Sequence, residues 1–163
     1  MRGFLFILIA FLSVITACNP SEKVETEETS MVSTEEEGLK RPPALTVVTD
    51  NHSASAVLGS YSWTYIQENG TGSAIESDSG SPTELVEHQK SPINLKYNSD
   101  FQLHFKVEPI EYKVRIWENG ERTGTVSIQN NSVAPHTNGS FIYEVSARWK
   151  QGTAMYAFLV NVN

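Results

Sequence analysis

The stretch that decides the fold is Phe141-Ile142-Tyr143-Glu144-Val145-Ser146-Ala147-Arg148-Trp149-Lys150-Gln151-Gly152-Thr153-Ala154-Met155-Tyr156-Ala157-Phe158-Leu159-Val160-Asn161-Val162. Phe141, Tyr143, Val145, Ala147 and Trp149 recur at every second position, so they share one face of an extended strand. Gln151-Gly152 then turns the chain. Ala154, Tyr156, Phe158, Val160 and Val162 repeat the alternation on the return. Two long strands, each apolar on one side, need a second layer to cover that side.

Working backwards, the same period runs through Phe101 to Val107, where Phe101, Leu103, Phe105 and Val107 face one way and Gln102, His104 and Lys106 the other. Glu108-Pro109 breaks that run. In Glu111 to Trp117, Tyr112, Val114 and Ile116 alternate with Lys113, Arg115 and Trp117. Asn119-Gly120 follows, a hairpin dipeptide suited to positive φ at both turn positions. Val126 and Ile128 are expected to continue the returning strand, and Ile93 with Leu95 to mark a short one after Pro92. Earlier still, Leu45 to Thr49 and Ala56 to Ile66 read as strands, the latter carrying Tyr61, Trp63 and Tyr65 on one face and bent at Gly59. Asn69-Gly70-Thr71-Gly72 is a turn. Ser81-Pro82-Thr83-Glu84 has the form of a capping box with proline at the first helical position, enough for a turn or two of helix. No long segment carries a helical period. The expectation is an all-β fold, an antiparallel Ig-like β-sandwich of about seven strands.

Asn138-Gly139-Ser140-Phe141-Ile142-Tyr143 is similar to the corner before the penultimate strand of immunoglobulin domains. Phe141 lacks the hydroxyl usual at that corner, and Tyr143 stands where such domains place a cysteine. The resemblance implies Ig-like architecture and excludes the disulfide-bearing subtype.

The N-terminal residues carry a separate message. Arg2 precedes an unbroken apolar run from Phe4 to Leu12, and Ser13 to Ala17 is smaller and more mixed, the layout of a secretory signal peptide. Gly3 to Ala17 is fifteen residues, short of the roughly 20 that span a bilayer. Ile15-Thr16-Ala17-Cys18 resembles the lipobox of bacterial lipoproteins. In that family the cysteine takes a diacylglyceryl group and the chain is cut before it, here between Ala17 and Cys18. Acyl chains such as palmitate at Cys18 would then hold the protein at the membrane, two chains sufficing for stable anchoring. Cys18 is the sole cysteine of the chain, so no intramolecular disulfide supports the fold.

Residues 19–43 hold seven glutamates against Lys23, Lys40 and Arg41, with almost no aromatic or branched apolar residues. Such a segment buries too little surface to offset its ordering entropy. It reads as a disordered acidic tether that ends at Arg41-Pro42-Pro43. The expected organisation is a lipoprotein signal peptide over 1–17, a tether over 18–43 and the β-sandwich over 44–163. The net charge of −7, concentrated in the tether, argues against nucleic acid as a partner.

Lipobox, acidic tether, Gly59-Ser60-Tyr61-Ser62-Trp63 and the ending Tyr143-Glu144-Val145-Ser146-Ala147-Arg148-Trp149 … Tyr156-Ala157-Phe158 together resemble small Bacillus-type lipoproteins of spore-forming Gram-positive bacteria, a group of unknown function. The resemblance implies a location and a fold, and no activity.

Searching for chemistry yields little. His52, His88, His104 and His136 lack metal-ligand spacing, so neither a metal nor another cofactor is expected. There is no Gly-x-Ser-x-Gly elbow, no Ser-x-x-Lys and no phosphate-loop spacing among Gly70, Gly72 and Gly80. Asp100, Glu108 and Glu111 read as solvated charge rather than a glycosidase pair. The sequences Asn51-His52-Ser53, Asn69-Gly70-Thr71, Asn130-Asn131-Ser132 and Asn138-Gly139-Ser140 fit a glycosylation pattern that is idle in a bacterial lipoprotein. Trp117, with Arg115 beside it and Arg122 across the hairpin, is the candidate ligand-binding group. It is either an aromatic platform for a glycan or partner protein, or a cross-strand pair that covers the hairpin, the commoner use of such residues. The end loops Asn69 to Ser81 and Asn130 to Thr137 are the candidate contact surfaces.

The functional expectation is a membrane-anchored, extracytoplasmic lipoprotein presenting a non-catalytic binding domain to an envelope component or protein. Two alternatives stand beside it: an inhibitor or regulator of a secreted enzyme, and a hydrolase whose site is scattered in sequence.

Overall fold

A computed structural model describes residues 39–163 except Gln129 and His136. The expected signal peptide over 1–17, the expected Ala17–Cys18 cleavage and lipid attachment at Cys18, the expected tether up to residue 38, and His136 lie outside the described residues. In chain order the strands are β1 (Leu45–Val48), β2 (Ser53–Ser55), β3 (Val57–Ile66), β4 (Gly72–Ser77), β5 (Ile93–Leu95), β6 (Phe101–Phe105), β7 (Glu111–Glu118), β8 (Glu121–Thr125), β9 (Ser132–Val133), β10 (Gly139–Arg148) and β11 (Gly152–Val162). A short helix, α1 (Pro82–Leu85), and a 3-10 turn over Val86–His88 sit between β4 and β5.

The strands form two sheets. The smaller has the order β2-β1-β6-β9 and the larger β4-β3-β11-β10-β7-β8, with β5 also on β11. The pairings are antiparallel except that of β5, which runs parallel to β11 at Val160–Val162. From β5 onward this is Ig-like connectivity. β6 pairs with β9 in one sheet, while β10 sits between β7 and β11 in the other. Eleven strands among the described residues, rather than about seven, arise because the N-terminal part adds to both sheets. β1 and β2 extend the small sheet beyond β6, and the β3–β4 hairpin extends the large one beyond β11.

The alternating pattern is what the fold buries. Tyr143, Val145, Ala147 and Trp149 on one strand, and Ala154, Tyr156, Phe158, Val160 and Val162 on the next, all face the other sheet. So do Leu45, Val47, Phe101, Leu103 and Phe105 from the small sheet. Tyr143 stacks on Phe158 with ring centroids 5.4 Å apart, and Phe101 meets both rings edge-on at 5.0 and 5.5 Å. This aromatic trio joins the two sheets. Each such ring pair contributes roughly 0.5–1.5 kcal/mol beyond the area it buries. At the other end of the sandwich Trp63 and Trp149 pack edge to face at 5.6 Å, with Phe105 against Trp149.

Three differences from the sequence reading have clear causes. Residues 72–77 are a strand, not part of an end loop, because β3 offers its outer edge and Ile75 lies opposite Trp63. β8 stops at Thr125, although the Val126 amide still donates to the Val114 carbonyl at 2.9 Å. Leu39 to Pro43, read as the end of the tether, dock on the domain. The Trp63 indole donates to the Leu39 carbonyl at 2.8 Å, the Tyr156 hydroxyl to the Pro43 carbonyl at 2.6 Å, and Pro42 and Pro43 are buried.

The bend at Gly59 is a β-bulge. Leu58 opposes Tyr156 and Tyr61 opposes Ala154, so β3 spends three steps where β11 spends two. A Cβ on Gly59 would come within 2.7 Å of both Leu85 and Met155, which shows how α1 closes onto the outer face of the large sheet. Gly152 is required by a tighter approach: a Cβ there would lie 1.9 Å from the Ser62 carbonyl oxygen of β3.

Candidate functional site

Two concavities are built by this framework, on different surfaces. The first is a groove of about 580 Å³ on the outer face of the large sheet, crossing β4, β3, β11, β10 and β7. Its floor is small and polar, with Ser62, Ser146 and Thr153, and both of its arginines, Arg115 and Arg148, are held in ion pairs. Arg148 donates through Nε to Glu111 at 2.9 Å, and this contact holds the Glu111 carboxyl below the usual carboxylate range.

Beside the groove the structure brings together two of the three residues singled out for ligand binding. Glu144 and Arg115 are direct partners across β10 and β7, as are Ile142 and Trp117. Arg115 Nη1 donates to Glu144 Oε1 at 2.7 Å and to Ser146 Oγ at 2.9 Å. Trp117 Nε1 donates to Glu144 Oε2 at 2.7 Å, and the Ser146 hydroxyl donates to Glu144 Oε1 at 3.2 Å. Glu144, only 9% exposed, is therefore the hub of a clamp that gathers the β7 side chains onto β10. Arg122 is exposed and opposite Trp117 in the ladder. The indole edge is committed to Glu144, so Arg115 and Trp117 act first as structural partners. Ser146 is likewise held by a guanidinium and a carboxylate that already accepts two other donors, an arrangement that fixes a hydroxyl rather than activating it.

Glu144 was missed by sequence reasoning. Its signal is an acid at an outward position of one strand and bases at outward positions of a neighbour. That signal becomes readable only once the β7–β10 register is known.

The second concavity is a cleft of about 990 Å³ where the two sheets part at one end of the sandwich. From the large sheet it receives Ile116 and Glu118 of β7, Thr125 of β8, and Phe141 and Tyr143 of β10. From the small sheet and its approaches it receives Asn98, Asp100, Gln102 and Ser132. The backbone here is shaped by asparagines: Asn98, Asn119, Asn130 and Asn131 all have positive φ, between 51° and 61°. Asparagine tolerates this left-handed conformation better than most residues. Asn131 fixes its loop twice, its side chain accepting from the Tyr112 hydroxyl at 2.7 Å and its carbonyl from the Leu103 amide at 2.9 Å. Asp100 accepts from the Ser132 hydroxyl, tying the start of β6 to β9. Burial, assisted by the nearby Glu118 charge, pushes the Tyr143 hydroxyl up to about 12, so it meets the cleft as a neutral phenol.

The two end loops considered as a joint contact surface are separated. Asn130, Thr137 and the segment Ser132 to Pro135 border the cleft. The Gln67–Thr71 turn lies at the opposite end, beside Gln151, whose carbonyl accepts from the Thr64 amide. That opposite end is also where Leu39 joins the domain, next to Trp63. β10 runs from the cleft at Gly139 to the Trp63–Trp149 end at Arg148, which puts roughly 30 Å between them.

His104 is exposed on its strand with Gln102 at 3.2 Å, and His52 and His88 are exposed. Among the described residues no group of three or more His, Cys, Asp or Glu side chains could hold a metal ion, and no helix is long and apolar enough to cross a membrane. No family model, no curated protein and no solved structure matches the chain.

Proposed function

We propose that this protein is a membrane-anchored extracytoplasmic lipoprotein whose sandwich is a non-catalytic binding domain, with the end cleft as its recognition surface for an envelope component. The anchor rests on Ile15-Thr16-Ala17-Cys18 and the apolar run before it. The observation that carries the binding half is the placement of entry and cleft. The chain enters the domain at the Trp63 end, and the larger of these two concavities lies at the far end, where a tethered domain would present it away from the membrane. Cleft size agrees, since ligand sites commonly enclose about 300–1,000 Å³. Fold alone would not support this reading, because sandwiches host many unrelated activities.

Two experiments test it. Labelled palmitate should enter the wild-type protein in the parent cell and not the Cys18→Ala variant; equal labelling of both removes the anchor. Envelope material should co-purify with the detergent-solubilised wild-type chain and be lost from Thr125→Trp, which fills the cleft from an exposed position. Retention by Thr125→Trp would move recognition elsewhere.

A further inference from the structure

Resting on the reading of the end cleft as the recognition surface, we infer that the cleft takes a glycan segment without negative charge, and favours one bearing free amino groups. The argument is the chemistry of its walls. The described residues that line the cleft include two carboxylates, Asp100 and Glu118, and no lysine or arginine. Any anionic ligand would approach two like charges with no cation in the lining to offset them. A ligand with ammonium groups meets the reverse situation.

The remaining wall chemistry is that of a polyol site. Side-chain amides from Asn98 and Gln102 offer both donors and acceptors, the Thr125 hydroxyl adds a group of the same dual character, and Ser132, whose hydroxyl donates to Asp100, can still accept. Such groups suit a ligand whose every ring carries hydroxyls, because each partner can reverse its role. Two aromatic side chains complete the arrangement. Phe141 lies on the inward face of β10, half-buried, with its ring edge 3.3 Å from where a Gly139 Cβ would stand. Gly139 therefore leaves the ring room at the cleft. Tyr143, only 1% exposed and stacked on Phe158, backs the wall behind it, so Phe141 is the ring within a ligand's reach. Aromatic rings provide a large apolar surface at small conformational cost, which matches the apolar face of a sugar ring.

The test uses the full-length chain in detergent micelles and three tetrasaccharides of equal length: N-acetylglucosamine, its fully deacetylated glucosamine form, and galacturonate. Binding is read by titration calorimetry at low salt. The deacetylated chain should bind roughly five- to tenfold more tightly than the acetylated one, a ratio in keeping with partly screened surface charge. The galacturonate chain should bind at least tenfold more weakly than the acetylated one. Glu118→Gln should erase most of the preference for amino sugars, Thr125→Trp should abolish binding of all three, and Lys113→Ala on the outer face should change nothing. Galacturonate binding as well as the others overturns the proposed ligand class. If no tetrasaccharide binds but Thr125→Trp still loses envelope material, the glycan is wrong and the cleft remains the binding surface. If neither probe nor envelope capture responds to Thr125→Trp, both readings fall.

Discussion

Replacing Glu144 by alanine should unravel the seam between β7 and β10, and the size of the effect follows from its partners. The carboxylate accepts from Arg115, Trp117 and Ser146. Removing it leaves a guanidinium and an indole N–H pointing at an apolar methyl. Truncating one partner of a fully buried pair costs about 3–5 kcal/mol, whereas an exposed pair is worth about 0.2–1 kcal/mol. Here the side chains are 24% exposed for Arg115 and 12% for Glu144, between those limits. The expected loss is therefore roughly 2–3 kcal/mol for Glu144→Ala. Arg115→Ala should cost less, roughly 1–2 kcal/mol, because Trp117 and Ser146 continue to serve the carboxylate. Combining the two substitutions should be less damaging than the sum of the singles, with a coupling of about 1–2 kcal/mol. Urea unfolding of the wild type, both singles and the double variant, followed by tryptophan fluorescence, gives all four values. A coupling below about 0.3 kcal/mol, within ordinary additivity error, would mean that Arg115 does not use Glu144. Its description as part of a clamp would then be wrong.

Other substitutions report on other parts of the frame. Gly152→Ala forces a methyl to within 1.9 Å of the Ser62 carbonyl, so β3 must move off β11; a loss of about 2–4 kcal/mol in urea is expected, and a change under 0.5 kcal/mol would contradict the close approach. A domain beginning at Ala44 should be about 1–3 kcal/mol less stable than one beginning at Leu39, since the Trp63 indole and Tyr156 hydroxyl lose their carbonyl partners; equal midpoints would show that the docked segment is ornamental. Alkaline pH should destabilise the fold through Tyr143. Its folded-state pKa is raised from 10.0 to about 12, so its contribution is complete below pH 10 and is lost as pH rises towards 12. The loss should be about 3 kcal/mol, and Tyr143→Phe should flatten the stability profile over that range. An unchanged slope in that variant would assign the alkaline transition to other tyrosines, of which Tyr156 is also raised by burial.

The period-two alternation made the fold class legible because it is a local consequence of burying one side of a strand. Phe101-Gln102-Leu103-His104-Phe105 alternates buried and exposed in the structure as it does in the sequence. The Asn119-Gly120 hairpin was equally readable, both residues having positive φ, and so was the capping box, where the Glu84 carboxylate accepts from the Ser81 amide at 2.7 Å. What could not be read was anything that depends on which strand lies beside which. Gly72 to Ser77 has weak alternation and became a strand only because β3 was there to pair with it. Pro42 and Pro43 looked like the stop of a linker, and only the assembled sandwich supplies a Tyr156 hydroxyl for the Pro43 carbonyl. The same limit applies to the cleft. Asp100 and Glu118 are eighteen positions apart and on different sheets, and no spacing rule joins them.

β11 comes last of the described strands in chain order, yet it occupies the middle of the larger sheet, with β10 on one flank and β3 and β5 on the other. Its pairing with β3 joins residues about ninety positions apart. The large sheet therefore cannot close until β11 is in place. Pairing over such separations is slow to form. Until β11 joins, the β3–β4 hairpin and the β10-β7-β8 ribbon are two separate pieces of sheet. Deleting β11 would take out a central stave rather than a fringe.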